Sequence, residues 1–146
     1  MLKLNEKLQK KFMVYGEGFN ECLFCDKDFY GYGVINKNDS CYAVYDLYPV
    51  SEGHCLIIPF RHVVNFWQLT DKEILDMHSL AASMKSILDK TYKPTGYNVG
   101  WNCGKSAGQT VMHCHMHIIP RYDGDIEDPR GGIRGCIPEK RIYIKK

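Results

Sequence analysis

The chain has 146 residues, of which 45% are hydrophobic and 25% are charged, and its formal net charge is +2 at pH 7. These values exclude a disordered chain and predict one globular domain over residues 1–146. The small net charge gives no support for binding through bulk electrostatics, so we expect no nucleic-acid partner. No apolar run reaches the about 18 residues of a membrane helix, and the charged start lacks a secretory signal, so we expect no membrane association.

The chain contains seven cysteines. An odd number does not suit a framework of disulfides, and Cys22 and Cys25 form a C-x-x-C pair. This usage favours reduced thiols and metal binding, and it predicts the cytoplasm as the compartment.

The first half of the chain predicts an arm followed by three strands. Leu4, Leu8 and Phe12 have helical spacing, which predicts a short amphipathic helix or helical arm within an N-terminal segment of about residues 1–20. Residues 34–37 and 41–46 predict a hairpin, because the turn formers at 38–40 join them. The apolar run at 54–59 is typical of a central strand.

A helix follows this run. Thr70 and Glu73 have the spacing of a capping box, and Pro94 and Gly96 end the helical pattern. The predicted apolar stripe consists of Ile74, Met77, Ala81, Met84 and Leu88. Residues 97–101 predict another strand. The order β-β-β-α-β-β predicts an α+β fold, an antiparallel sheet with a long helix packed on one face.

Three histidines stand at alternate positions of the stretch 109–121. His113, His115 and His117 are separated by apolar residues, and a period of two predicts a strand with all three imidazoles on one face. Side chains two apart on a strand lie about 6.5–7 Å apart along the chain. Three imidazoles at that spacing are close enough to share one anionic substrate or to divide the parts of one reaction.

The residue types favour chemistry at phosphorus. Imidazole titrates near neutral pH and serves as a nucleophile, acid or base. Residues 107–110 supply small side chains, backbone amides and a hydroxyl, which suit a bound phosphate. We therefore expect attack on phosphorus through a phosphohistidine-type intermediate. Two alternatives are a histidine-rich strand that only binds metal and surface histidines without a role.

The stretch 113–119 resembles the H-φ-H-φ-H-φ-φ motif of the histidine triad (HIT) superfamily, where φ is an apolar residue. Asn102, residues 107–111, residues 120–121, Asp46 and residues 53–59 match the usual surroundings of that motif. The similarity runs from about residue 22 to residue 121. It implies a homodimer with the HIT-like fold that cleaves or transfers nucleoside monophosphates from purine nucleotides.

The resemblance also implies roles for single residues. His115 is the expected nucleophile, His117 contacts the phosphate, and His113 and His54 give supporting hydrogen bonds. Asp46 is expected to accept hydrogen bonds from the ribose hydroxyls. The residues expected beside the phosphates are Asn102, Gly108, Gln109 and Thr110. Leu23, Phe24, Val44 and Leu47 are either the base pocket or plain core.

The same resemblance implies a structural zinc ion. Its ligands would be Cys22, Cys25, His62 and His113. The alternative is a pair of free thiols near a surface histidine. The other five cysteines have no partners in such a pattern, and we expect them to be buried or incidental.

The substrate is open between two branches of the family. Asn102 resembles the Hint-type branch, which hydrolyses nucleoside phosphoramidates, whereas Gln is usual in the Fhit-type branch, which cleaves dinucleoside polyphosphates. A nucleotide-binding sensor or adaptor with incidental catalysis is the alternative function. A C-terminal extension of about residues 122–146 resembles that of some members. Its Arg130 or Arg134 either reaches the leaving phosphates or belongs to a solvated surface loop.

Overall fold

The structure is a computed structural model, and it describes residues 22–26 and 33–143. The predicted N-terminal arm and its helix lie outside the described residues. Within them, five strands form one antiparallel sheet with the order β1-β2-β3-β5-β4. The strands are β1 Val34–Lys37, β2 Cys41–Tyr45, β3 Cys55–Pro59, β4 Gly96–Trp101 and β5 Met116–Arg121. The helix α1 spans Asp71–Tyr92, so the predicted α+β fold and its element order are confirmed.

The helix α1 begins as the sequence predicts. The Thr70 hydroxyl accepts a hydrogen bond from the Glu73 amide, and the Glu73 carboxylate accepts one from the Thr70 amide. The buried stripe differs at two positions, because Ile74 is 36% exposed and Leu80 is buried in place of the partly buried Ala81. The row that faces the sheet contains Glu73, Met77, Leu80, Met84 and Leu88. Glu73 is the first residue of this row. Because consecutive side chains on a helix point in different directions, the next residue, Ile74, lies at the edge of the buried row.

The sheet has a different core on each face. The helix packs mainly over β1, β2 and β3 and forms one buried cluster with the inward side chains of the sheet. The second cluster, on the other face, contains Leu23, Phe24, Tyr42, Val44, Leu56 and Ile58. The Tyr42 hydroxyl donates to the Phe24 carbonyl oxygen at 2.9 Å, which ties the segment 22–26 to β2. This second face carries the candidate site.

A charged pair holds the loop between β3 and α1. Arg61 donates two hydrogen bonds to the carboxylate of Glu73, at 2.8 and 2.7 Å, and a third to the Gln68 carbonyl oxygen. The Arg61 guanidinium lowers the pKa of Glu73 to about 2. The loop that contains His62 is thereby fixed to the start of the helix.

All seven cysteines are free thiols. Cys41, Cys55 and Cys114 are buried, Cys103 is partly exposed and Cys136 is exposed. Within residues 22–26 and 33–143, no helix has the length and apolar character needed to cross a bilayer.

We predict that Glu73→Gln makes the fold less stable and alters its dependence on pH. The folded pKa of Glu73 is below the ordinary value of 4.5, so its stabilisation is present above pH 4.5 and lost as the pH falls toward 2. At pH 7 we expect a loss of about 1–2 kcal/mol, because Arg61 is half exposed and water screens the pair. Urea unfolding between pH 7 and pH 2 measures the difference. Glu52→Gln, at an exposed carboxylate, is the control. If the unfolding free energies of the wild type and Glu73→Gln differed as much at pH 2 as at pH 7, the prediction would be contradicted.

Candidate functional site

A cleft of about 270 Å³ opens on the face of the sheet opposite α1. Nine of the predicted site residues line it: Phe24, Asp46, Leu47, His54, Asn102, Gly108, Thr110, His115 and His117. Five further lining residues were not predicted: Tyr45, Tyr48, Val50, Leu56 and Val111. Leu56 follows His54 by two positions, so strand periodicity could have placed it on the same face. The sequence carries no comparable signal for Tyr48 and Val50.

The strand of the histidine motif begins later than predicted, at Met116. The Cys114 amide donates to the Val63 carbonyl oxygen at 2.7 Å, so it does not take part in the ladder of the sheet. His113 consequently does not line the cleft, and its side chain is fully buried beside a second group of residues. The three imidazoles are thus divided between two sites, with only His115 and His117 in the cleft.

One hydrogen bond fixes the ring of His115. Its Nδ1 lies 2.8 Å from the carbonyl oxygen of His113. Because a carbonyl oxygen only accepts, Nδ1 carries the proton and Nε2 carries the lone pair. Burial lowers the pKa of His115, which keeps the ring neutral at pH 7. An edge contact with the Phe24 ring, at 5.2 Å between centroids, packs against the imidazole.

A chain of hydrogen bonds sets the protons of the other two histidines in the cleft. The Val50 amide donates to His54 Nδ1 at 3.2 Å, so the proton of His54 is on Nε2. His54 Nε2 lies 3.0 Å from His117 Nδ1 and donates to it. His117 therefore carries its proton on Nε2, a buried atom without a hydrogen-bond partner among the described residues. A buried unpaired donor is costly, and it is suited to an anion that enters the cleft.

The carboxylate of Asp46 lies beside this pair. Its Oδ2 is 3.5 Å from His54 Nε2 and 3.9 Å from His117 Nδ1, and its Oδ1 accepts the Tyr48 amide. Burial, together with the neighbouring His115 and His54, lowers the pKa of His117 to about 4, and Asp46 raises it by less. Burial also lowers the pKa of His54. Both rings are thus neutral at pH 7 although a carboxylate is near.

The second group consists of Cys22, Cys25, His62 and His113, whose possible ligand atoms lie within 4.8 Å of one another. His113 Nε2 donates to the Pro59 carbonyl oxygen at 2.8 Å, so its Nδ1 is free of protons. This Nδ1 is 3.4 and 3.5 Å from the two thiol sulfurs, and His62 Nδ1 is 3.3 Å from Cys25 Sγ. A tetrahedral zinc ion with ordinary bond lengths separates sulfur and nitrogen ligands by about 3.5 Å. The four residues fit a metal ion of that kind.

The loop between β4 and β5 supplies the rest of the cleft wall. Gly104 and Gly108 have φ of 89° and 85°, values that side chains with a Cβ rarely adopt. Asn102, Gly108 and Thr110 line the cleft, but Gln109 does not. The buried Gln109 amide donates to the Val64 carbonyl oxygen at 2.6 Å and accepts the Gly104 amide at 2.7 Å. Its side chain closes the loop, and its predicted place beside a phosphate stays a prediction.

The remaining predicted residues separate into cleft and core. Phe24 and Leu47 line the cleft, whereas Leu23 and Val44 belong to the buried cluster behind it. In the C-terminal extension, Arg130 pairs with Asp128 at 2.8 Å. Arg134 donates to the carbonyl oxygens of Lys140 and Arg141. Neither arginine lines the cleft, and both brace the extension itself.

Comparisons with known proteins agree with this architecture. A model of the HIT domain family matches residues 32–124. An uncharacterized 16.1 kDa HIT-like protein of Mycoplasma pneumoniae is 36% identical over 110 residues, which cover 71% of this chain and 74% of that protein. A protein of Mycobacterium tuberculosis named AP-4-A phosphorylase is 36% identical over 93 residues, which cover 63% of this chain and 48% of that protein.

Solved structures give the same picture. A HIT family protein of Bacillus anthracis superposes with a TM-score of 0.67 at 31% identity, over 74% of this chain and 78% of the other. A zinc-bound histidine triad family protein of Mycobacterium smegmatis superposes with a TM-score of 0.65 at 28% identity, over 74% of this chain and 80% of the other.

Proposed function

This chain belongs to the HIT domain family, and we propose that it is an enzyme that cleaves nucleotides at the α-phosphate. The reaction is transfer of a nucleoside monophosphate to His115, followed by transfer to water. The observation that carries the proposal is the hydrogen bond from His115 Nδ1 to the His113 carbonyl oxygen. It fixes the tautomer in which Nε2 is an unprotonated nucleophile, and burial keeps the pKa of His115 low enough for that form at pH 7.

His117 stabilises the charge that develops in the reaction. The N–H group at His117 Nε2 has no hydrogen-bond partner among the described residues. Because His54 donates to His117 Nδ1, the proton of the His117 ring stays on Nε2. A donor already oriented in a partly buried cleft stabilises a developing anion without reorganisation. We assign this hydrogen bond to an oxygen of the phosphate or to the leaving atom.

The two chemical steps balance without a cofactor. His115 Nε2 forms a bond to the α-phosphorus, and the leaving group departs with the electron pair of the bond that breaks. Nδ1 keeps its proton and donates it in the hydrogen bond to the His113 carbonyl oxygen, which stabilises the positive ring of the intermediate. A water molecule then attacks phosphorus, the phosphorus–nitrogen bond breaks with its electron pair returning to His115 Nε2, and the proton lost by water goes to solvent. This step releases a nucleoside monophosphate such as AMP and restores His115.

We place the nucleoside of the substrate on the β2 side of the cleft. Asp46 follows β2 and offers carboxylate oxygens to the ribose hydroxyls. Phe24 and Leu47 give that part of the cleft an apolar surface for a purine base. Two substrate classes fit this placement. The relative named AP-4-A phosphorylase supports a dinucleoside polyphosphate, and Asn102 supports a nucleoside phosphoramidate.

We predict that His115→Ala abolishes turnover but retains nucleotide binding, because only the nucleophile is removed. Adenosine 5′-phosphoramidate, diadenosine triphosphate and diadenosine tetraphosphate are offered in parallel, and the products are separated. The loss should exceed about 1000-fold, the scale seen when a covalent nucleophile is deleted. His78→Ala, at an exposed position of α1, should retain full activity. A sensor with incidental catalysis would show only a trace of turnover in the wild type. A His115→Ala variant as active as the wild type would show that the nucleophile is misassigned.

We further propose that Cys22, Cys25, His62 and His113 hold a structural zinc ion. The two thiols and two imidazole nitrogens are the donors of closed zinc sites, and the zinc-bound neighbour of M. smegmatis supports the choice of metal. Bound zinc would fix His113, whose carbonyl oxygen orients the nucleophile. Thiolate ligands persist in a reducing compartment, so we propose the cytoplasm.

The zinc proposal predicts that Cys22→Ser loses metal and thermal stability. Elemental analysis of the purified wild type should find about one zinc per chain, and the variant should hold almost none. Cys136→Ser, at an exposed cysteine outside the cluster, is the matched control and should retain the metal. Equal zinc in both variants would contradict the assignment.

We propose a homodimer formed through β4 and its neighbourhood. This strand lies at one end of the sheet, so its outer backbone groups have no partner strand among the described residues. Val99 lies on the face of the sheet that carries α1, but the helix packs mainly over β1, β2 and β3. The Val99 side chain is therefore left 46% exposed. Light scattering at tens of micromolar should give about twice the chain mass, because such interfaces are commonly paired by symmetry. Val99→Lys should yield monomers. A wild-type monomer would contradict this proposal and leave the catalytic one standing.

A further inference from the structure

Two cysteines outside the proposed zinc site stand at matching positions just beyond the paired parts of β4 and β5. The strands are antiparallel, and their last observed pair at this end is Trp101 with Met116. Continuing the same register by two residues along each segment places Cys103 opposite Cys114. Directly opposite residues have Cα atoms about 4.5–5.5 Å apart, within the range of about 4.4–6.8 Å that a disulfide spans. The completed register would therefore bring the two thiols within bonding distance.

Both side chains belong to the face of the sheet that carries α1. Met116 is part of the buried cluster under the helix and Trp101 packs against it, and alternation gives residues two positions further the same face. Burial raises the pKa of Cys114 to about 12, and the nearby Cys103 and Glu73 raise it too. Glu73 is in the first turn of α1. The Cys114 thiol therefore faces the helix, near Cys103 and on the opposite side of the sheet from the cleft.

The remaining cysteines outside the zinc site have no cysteine opposite them. In the sheet, Cys41 is paired with Pro59, and Cys55 is paired with Tyr45 and Ile118. The cysteine of the C-terminal extension is exposed. Within the described part of the chain, which contains all seven cysteines, the facing arrangement is particular to one pair.

The two thiols of this pair differ in exposure. Cys103 is partly exposed, whereas Cys114 is 2% exposed. A small oxidant in the solvent therefore reaches Cys103 first, and Cys114 is the thiol that can react with the oxidised sulfur. We propose that Cys103 and Cys114 are a modification site, which a peroxide converts into a reversible disulfide that reports on oxidants and lowers the activity of the cleft.

The reaction balances with hydrogen peroxide as the oxidant. The Cys103 sulfur bonds to one peroxide oxygen, the oxygen–oxygen bond breaks, and the other oxygen leaves as water with the thiol proton. The Cys114 sulfur then bonds to the sulfur of this sulfenic acid. The sulfur–oxygen bond breaks with its electron pair, and the oxygen leaves as water with the proton of the Cys114 thiol. The two sulfurs together lose two electrons, one peroxide becomes two waters, and a thiol reductant restores both cysteines by exchange.

The disulfide changes two segments that line the cleft. In the reduced protein the Cys114 amide donates to the Val63 carbonyl oxygen at 2.7 Å, outside the ladder of the sheet. Completing the register of β4 and β5 would place Asn102 opposite His115, and both of these residues line the cleft. The ring of His115 is oriented by the carbonyl oxygen of His113, which precedes Cys114. Drawing Cys114 toward β4 therefore displaces the proposed nucleophile. This effect on turnover rests on the proposed function.

The test exposes the purified full-length protein to hydrogen peroxide and follows three quantities. Differential alkylation with mass spectrometry maps the disulfides, elemental analysis gives the zinc content, and turnover is measured on diadenosine tetraphosphate and adenosine 5′-phosphoramidate. We expect a disulfide between Cys103 and Cys114 and a fall in turnover of about tenfold or more, because a displacement of about 1 Å at a reacting group is enough for such a loss. Dithiothreitol should restore the activity.

Three variants separate this pair from the other thiols. Cys103→Ser and Cys114→Ala should form no such disulfide and keep their activity in peroxide, whereas Cys136→Ser, at an exposed cysteine, should behave like the wild type. Each protein is compared with its own untreated sample, so a general effect of the substitution cancels.

Three results would count against these proposals in different ways. Treated wild type without the disulfide between Cys103 and Cys114 would overturn the modification site. Equal losses of turnover in Cys103→Ser and the wild type, together with released zinc, would overturn its effect on the cleft and assign the sensitivity to the zinc site. Untreated wild type without turnover on either substrate would overturn the proposed function, and the disulfide map would still decide the modification site.

Discussion

The hydrogen bond from His113 Nε2 to the Pro59 carbonyl oxygen is the constraint on which the rest of the site depends. It holds the proton on one nitrogen and turns the other, Nδ1, toward the thiols of Cys22 and Cys25. The same residue presents its carbonyl oxygen to His115 Nδ1. One buried side chain on the approach to β5 therefore joins the central strand β3, the cysteine segment and the proposed nucleophile. A displacement of His113 would therefore disturb β3, the cysteine segment and His115 together.

Burial and backbone contacts together determine the charge of these histidines. Desolvation lowers the pKa of His54, His113, His115 and His117, so the rings are neutral even near the carboxylate of Asp46. In neutral rings, the position of one proton decides whether a nitrogen donates or accepts. Asp46, His54 and His117 are also close enough to share a metal ion. There the Val50 amide donates to His54 Nδ1, so His54 Nε2 keeps its proton and donates it to His117 Nδ1, with Asp46 Oδ2 at 3.5 Å from the same nitrogen.

Much of this structure could be predicted from local sequence patterns. The alternation around His115 and His117, the capping box of Thr70 and the apolar run of β3 each depend on neighbouring residues, which a sequence displays directly. The start of β5 could not be predicted, because the Cys114 amide is taken by Val63, fifty-one residues earlier. The inward turn of Gln109 likewise depends on the distant Val64 carbonyl oxygen. Periodicity carries no information about such contacts.

The tautomers of the histidines are the feature of the site that the sequence predicts least. His113 and His115 are identical side chains two positions apart, but the nitrogen that donates to a backbone carbonyl oxygen is Nε2 in His113 and Nδ1 in His115. The first ring consequently offers Nδ1 to a metal ion, and the second offers Nε2 to phosphorus. The sequence motif specifies that imidazoles are present, whereas the carbonyl oxygens of Pro59 and His113 specify what each ring does. In this fold the metal cluster and the proposed catalytic centre are thus made distinct by backbone acceptors, which depend on how β3 and β5 are placed.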